Sequence, residues 1–184
     1  MSRVIKYTKE EILEKSIDFI KEYGYSKLTV RELAKYIGCS TQPIFKNYTN
    51  FDEYKIDLKK YLRDDYNNFI KKYVDNKDYL YTISCAYALY AKNEPNMFFS
   101  LFMADLAGTR TIVEVLNTDR NKETIIAMTE QYNLTIDEAG KIYRDVRFYT
   151  HGMATQLCIR SINLSEKEIT ELIKNNIEIN LKGE

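Results

Sequence analysis

TVRELAKYIGCSTQPIFKNY, residues 29 to 48, is the stretch on which the reading of this chain turns. Thr29 and Glu32 stand at the T-x-x-E spacing of a capping box, which satisfies amides that a helix start leaves without partners. Leu33, Ala34 and Ile37 then recur at helical spacing, so a helix is expected from about Val30. Gly38 follows directly. A residue without Cβ turns through the left-handed region at little cost, so the helix is expected to stop there. Ser40 is placed to cap a second helix whose inward positions are Ile44 and, one turn on, Tyr48. The pattern is that of a helix-turn-helix.

The second helix opens with Thr41, Gln42 and Pro43. In a recognition helix this end meets base edges: Gln pairs with adenine through two hydrogen bonds, and the Thr methyl touches a thymine methyl. With Ser40 as the cap, Pro43 falls at the third helical position, where its missing N–H loses no intrahelical bond. Ser40 would then cap the N–H of Gln42.

These residues resemble the TetR (tetracycline-repressor) family of bacterial regulators. That family has a first amphipathic helix ending in Gly-aromatic, then Thr-Val-x-x-Leu-Ala, Gly-x-Ser and an aromatic pair closing the recognition helix. Gly24, Tyr25, Thr29, Val30, Leu33, Ala34, Gly38, Ser40, Phe45 and Tyr48 stand at matching positions, and the resemblance spans about Lys9 to Lys55. It implies a DNA-binding set of Thr29, Ser40, Thr41, Gln42, Phe45, Lys46, Asn47 and Tyr48. Two residues depart from the pattern: Phe45 replaces a tyrosine and Phe51 a lysine, both of which would touch the DNA backbone rather than bases.

The 184 residues, 45% of them hydrophobic, suffice for a sizeable core, and two prolines with six glycines do not punctuate an all-β chain. An all-α fold is expected: a helix-turn-helix DNA-binding domain over residues 1–50 and a helical ligand-binding and dimerisation domain over 51–184. Residues 1–50 carry nine Lys/Arg against six Asp/Glu, and the rest 18 against 21, which suits a DNA-facing head on an acidic body. No run approaches the about 18 apolar residues of a membrane span, and no signal segment opens the chain, so a cytoplasmic protein is expected. Cys39, Cys85 and Cys158 have no C-x-x-C spacing and read as packed thiols rather than a disulfide framework or a metal site.

Further capping boxes start helices at Thr8/Glu11, Asn50/Glu53, Thr135/Glu138 and Ser165/Glu168. Helices are expected over Lys9 to Tyr23, from Asn50 to about Val74, Asp78 to Lys92, from about Pro95 to Gly108, Arg120 to Tyr132, from Thr135 to about Ile162, and from Ser165 onward. Arg3 and Lys6 precede the first as a basic arm. Tyr87, Tyr90, Phe98, Phe102, Met103, Met128 and Tyr132, with the single histidine His151, make up either core packing or the wall of a cavity for a small apolar or aromatic effector. His151-Gly152 resembles a motif of the family's penultimate helix. By the same resemblance, the last two helices pair with a second copy, giving a homodimer whose heads enter successive major grooves.

No nucleophile with a base, no zinc motif and no cofactor motif is present, so neither an enzyme nor a cofactor protein is expected. The sequence points to a ligand-responsive transcriptional regulator, in the family's manner a repressor released from a palindromic operator. The alternative is a helical ligand- or protein-binding module whose DNA-binding head has degraded.

Overall fold

The computed structural model describes residues 7–104, 109 and 111–183, and among them there are ten α-helices and no strand. They are α1 Lys9–Tyr23, α2 Val30–Ile37, α3 Gln42–Asn47, α4 Phe51–Ile70, α5 Tyr79–Asn93, α6 Pro95–Phe102, α7 Ile112–Leu116, α8 Asp119–Tyr132, α9 Ile136–Cys158 and α10 Glu166–Lys182. The starts follow the caps. Thr8, Thr135 and Ser165 each accept a bond from the third helical amide while the glutamate three residues on bonds back to the cap. Thr29 caps α2 by accepting from the Glu32 N–H, and the Asn50 side chain accepts from the Glu53 N–H at 2.9 Å.

The ends diverge more from expectation. α4 stops at Ile70 rather than near Val74, α6 at Phe102, and α9 at Cys158 rather than near Ile162. Leu106 and Gly108, expected at the end of α6, and the arm residues Arg3 and Lys6 lie outside the described residues. α7 was not anticipated, although Thr111 and Glu114 form a complete capping box at its start.

The chain divides into two compact units, Met1–Tyr66 with Asn96–Ala107 and Asn67–Pro95 with Gly108–Glu184. The expected boundary at residue 50 therefore falls inside the first unit. That unit is built on α1, whose buried face is Ile12, Leu13, Ser16, Ile17, Phe19 and Ile20. α2 adds Leu33 and Ala34, α3 adds Ile44, and α4 adds Tyr54, Leu58, Leu62 and Tyr66. A polar relay fixes α4 to α1. The Tyr54 hydroxyl donates to Ser16 Oγ at 2.7 Å, and the Ser16 hydroxyl donates to the Ile12 carbonyl at 2.6 Å. Tyr54 is fully buried, which drives its pKa well above the ordinary tyrosine value.

The second unit is organised around α5. From Ile83 to Ala91 every residue is buried, because α9, α8 and α10 pack around it. A helix apolar on all sides is stable only when enclosed. Leu89, Met128, Val146, Met153, Ile169 and Ile173 form the centre of this core. No described helix is long and apolar enough to cross a membrane.

The relay orders two substitutions. Ser16→Ala leaves the buried Tyr54 hydroxyl without its acceptor and should cost about 1–3 kcal/mol, whereas Tyr54→Phe removes both needs and should cost about 1 kcal/mol. Urea unfolding of the two variants checks the order; Tyr54→Phe emerging as the more damaging would contradict it.

Candidate nucleic-acid interface

The turn between α2 and α3 is set by Gly38, at φ 80° and ψ 33° in the left-handed region. Cys39 N–H bonds back to the Ala34 carbonyl at 2.9 Å and Gly38 N–H to that of Lys35 at 3.2 Å, closing the last carbonyls of α2. A Cβ on Gly38 would meet no atom within 4 Å, so glycine is needed there for its backbone angle alone.

α3 starts one residue later than expected. Thr41, not Ser40, is its N-cap, no side chain makes the cap bond, and Ser40 is exposed. The reason is Pro43. A cap at Ser40 would place proline at the third helical position and leave the cap only the Gln42 N–H, on a residue that the following proline biases away from the helical region. With Thr41 in that role, proline takes the second position.

Gln42, Phe45 and Lys46 are exposed and Thr41 is half-buried, so these four residues form the outward face of α3. Ile44 is buried on the opposite side. Phe45 is 53% exposed, a large apolar surface for a side chain with no core to fill.

Asn47 and Tyr48 both support α3. The Asn47 amide donates to the Tyr7 carbonyl at 2.8 Å and to that of Pro43 at 2.9 Å, tying the end of α3 to the chain leading into α1. Tyr48 is 2% exposed and packs edge-on against Tyr54 at 5.3 Å, with the Lys9 ammonium 4.5 Å above its ring. Its oxygen is buried without a hydrogen-bond partner, and desolvation, with Asp57 and Glu53 nearby, pushes its pKa up to about 12. Tyr48 was expected both as an inward position and in the DNA-binding set, and it lies inward. Extended backbone at Tyr48 turns the ring into the core.

Charge sharpens the site more than net composition does. Lys9 pairs with Glu53 and Asp57, Lys15 with Asp18, and Lys21 with Asp65. Among the described residues, Lys27, Arg31, Lys35 and Lys46 take part in no ion pair, and all four lie in or beside α2 and α3. Arg31 and Lys35 were not singled out from the sequence. Their signal was present in α2, where Glu32 is the only acidic residue.

The candidate effector residues divide between the two units. In the first, Phe98 is fully buried and meets Phe102 at 5.0 Å, and Phe102 meets Tyr66 edge-on at 5.1 Å, while Met103 is half-buried just past α6. In the second, Tyr90 and Met128 are fully buried, Tyr90 against Phe69 at 5.0 Å. The Tyr132 hydroxyl donates to Asp78 at 3.1 Å. Tyr87 and His151 are brought together, the hydroxyl lying 2.8 Å from Nδ1. Two of the three thiols are buried: Cys85, with its pKa pushed up to about 11 by desolvation, and Cys158, whose Sγ lies 3.3 Å from the Pro95 carbonyl; Cys39 is half-buried. No group of three or more His, Cys, Asp or Glu among the described residues is placed to hold a metal.

No family model matches the sequence, and no curated protein matches it significantly. Solved structures do. A TetR-like transcriptional regulator from Rhodococcus sp. RHA1 superposes with a TM-score of 0.70 at 12% identity, over 99% of this chain and 100% of that one. A TetR variant from Acinetobacter baumannii AYE, in complex with minocycline, superposes with a TM-score of 0.62 at 14% identity, over 97% of this chain and 96% of that one. The chain has the all-helical fold of TetR-type regulators, with its helix-turn-helix at the N-terminal end.

Burial, with Arg147 nearby, lowers the His151 pKa, so the folded chain holds this proton less well than the unfolded chain. The stabilising contribution of the neutral ring is therefore complete above the unfolded value of about 6.5 and is lost as pH falls through it toward the lower folded value. Wild type should lose more stability than His151→Gln between about pH 7.5 and pH 5.5 in parallel urea titrations. Equal losses would take His151 out of this pH dependence.

Proposed function

We propose that this chain is a homodimeric, effector-responsive transcriptional regulator that binds a two-fold symmetric DNA site through α3 and is released from it by a small apolar or aromatic molecule. The observation that carries the reading is the coincidence of the outward face of α3 with Lys27, Arg31, Lys35 and Lys46, cations in or beside α2 and α3 that take part in no ion pair among the described residues. Thr41 and Gln42 are assigned to base edges, and Arg31 and Lys46 to phosphates. The Thr29 hydroxyl accepts from the Glu32 N–H and keeps its own proton to donate to a phosphate. Phe45 has no hydroxyl to offer a phosphate, and its exposed ring suits the sugar edge or a thymine methyl.

Dimerisation is supported by the outer face of α9 and α10. Phe148, Ile159 and Ile179 are each more than half exposed, and Tyr149 and Leu172 are also exposed. Gly152 lies between Phe148 and Ile159, one turn from the former, and a Cβ there would touch nothing. Small and large apolar residues alternating on an uncovered helix pair suit a self-complementary interface.

In the second unit the Tyr87–His151 pair supplies a polar anchor among apolar side chains, the pattern of a small-molecule site. The structure of a TetR variant with minocycline makes effector binding reasonable for this fold. An effector favours release only through a difference in its affinity for the DNA-competent and DNA-incompetent geometries.

Selection of sites from random duplex DNA, followed by a salt titration on the enriched sequence, tests the regulator. A palindromic site whose affinity falls steeply with salt is expected, and no enrichment at low salt would defeat the proposal. On that site Gln42→Ala should cost about 1–3 kcal/mol and leave random-sequence binding nearly unchanged, while Lys46→Ala should weaken both alike. Phe148→Glu with Ile179→Lys should give a monomer in sedimentation, and a dimer that survived both changes would move the interface elsewhere.

A further inference from the structure

The first unit holds a cavity that base reading does not use. Phe19 and Tyr23 of α1, Lys27 in the turn after it, and Glu32, Lys35 and Tyr36 of α2 line about 540 Å³, a volume suited to a small organic molecule. The apolar wall is three rings. Tyr36 meets Phe19 at 5.4 Å and Tyr23 at 6.0 Å, both edge-on, and Phe19 and Tyr23 lie 5.1 Å apart. Phe19 is buried and anchors the wall to the core. Tyr23 is 41% exposed and Tyr36 half-buried, so both present ring surface to an occupant.

The rim is charged, and its charges are unspent. Neither Lys27 nor Lys35 is in an ion pair among the described residues, although Lys15 and Lys21 of the neighbouring helix both are. Glu32 is the one carboxylate in the lining. Two ammonium groups against one carboxylate favour an anion, and the carboxylate disfavours one with a second negative charge. Rings that meet edge-on leave faces and edges for a further ring to join the cluster.

We propose that this cavity binds a planar aromatic monoanion, an aryl carboxylate or aryl sulfonate, with its ring against Tyr23 and Tyr36 and its charge toward Lys27 and Lys35. All six lining residues belong to the first unit, so the site is separate from the effector residues of the second. Three of the six lie on α2, the helix that delivers the chain through Gly38 into α3. An occupant therefore touches the support of the recognition helix directly.

Fluorescence titration of the full-length protein with anilinonaphthalene sulfonate, an aromatic monoanion, tests the proposal, with uncharged phenylnaphthylamine as the control. Lys27→Glu with Lys35→Glu should weaken sulfonate binding about tenfold and leave the neutral dye unaffected. Tyr23→Ala, at an exposed position, should weaken both dyes while thermal melting by circular dichroism stays unchanged. If both variants bind the sulfonate as wild type does, the cavity is not a site. If the lysine reversals weaken both dyes equally, the occupant is not selected for its charge, and if Tyr23→Ala has no effect, it does not sit on the rings.

Discussion

A helix of six residues makes too few internal hydrogen bonds to hold its own shape, so α3 exists because its surroundings hold it. Its start has no side-chain cap, and Pro43 removes one amide and fixes one backbone angle in return. Ile44 anchors its inner side, Asn47 ties its last turn to Tyr7, and Tyr48 plugs the gap to α4. Gly38 sets the direction from which it departs. With these four constraints the outward residues Thr41, Gln42, Phe45 and Lys46 project from a rigid base. Without them the same side chains would sit on an irregular loop and read nothing reproducibly.

Much of this was legible before the structure. Capping boxes name their own helix starts, because hydroxyl and carboxylate sit a fixed three residues apart, and those at Thr8, Thr135 and Ser165 closed as read. Helix ends were less legible. α4 and α9 both stop four residues short of expectation, since apolar spacing continues past the point where backbone bonds do. The cap of α3 was misplaced because serine is the better capping side chain, while the proline three residues on leaves that cap only the Gln42 N–H and biases Gln42 away from the helix.

Side-chain direction was the other unreadable quantity. Tyr48 reads as an inward position from its spacing and as an interface residue from the resemblance, and the extended backbone after α3 turns it inward. Tyr66 and Ile70 are inward positions of α4, while Tyr73, inside the expected helix, lies past its end and is 41% exposed. Pairing of charge was hidden too. The surplus of three positive charges in the first 50 residues says little until Lys9, Lys15 and Lys21 are seen to be neutralised, leaving the cations of α2 and α3 to set the local field.

The enclosure of α5 has a consequence for how the second unit opens. A helix buried from Ile83 to Ala91 and wrapped by α8, α9 and α10 has no face from which it can fray into water. Its amide protons exchange with solvent only when the surrounding helices have come away, so they report the free energy of opening that whole unit. Those of α7, which has no buried residue, exchange through local openings alone. α5 is thus the slow clock of the body, against which any loosening by an effector or by loss of a partner subunit is measured.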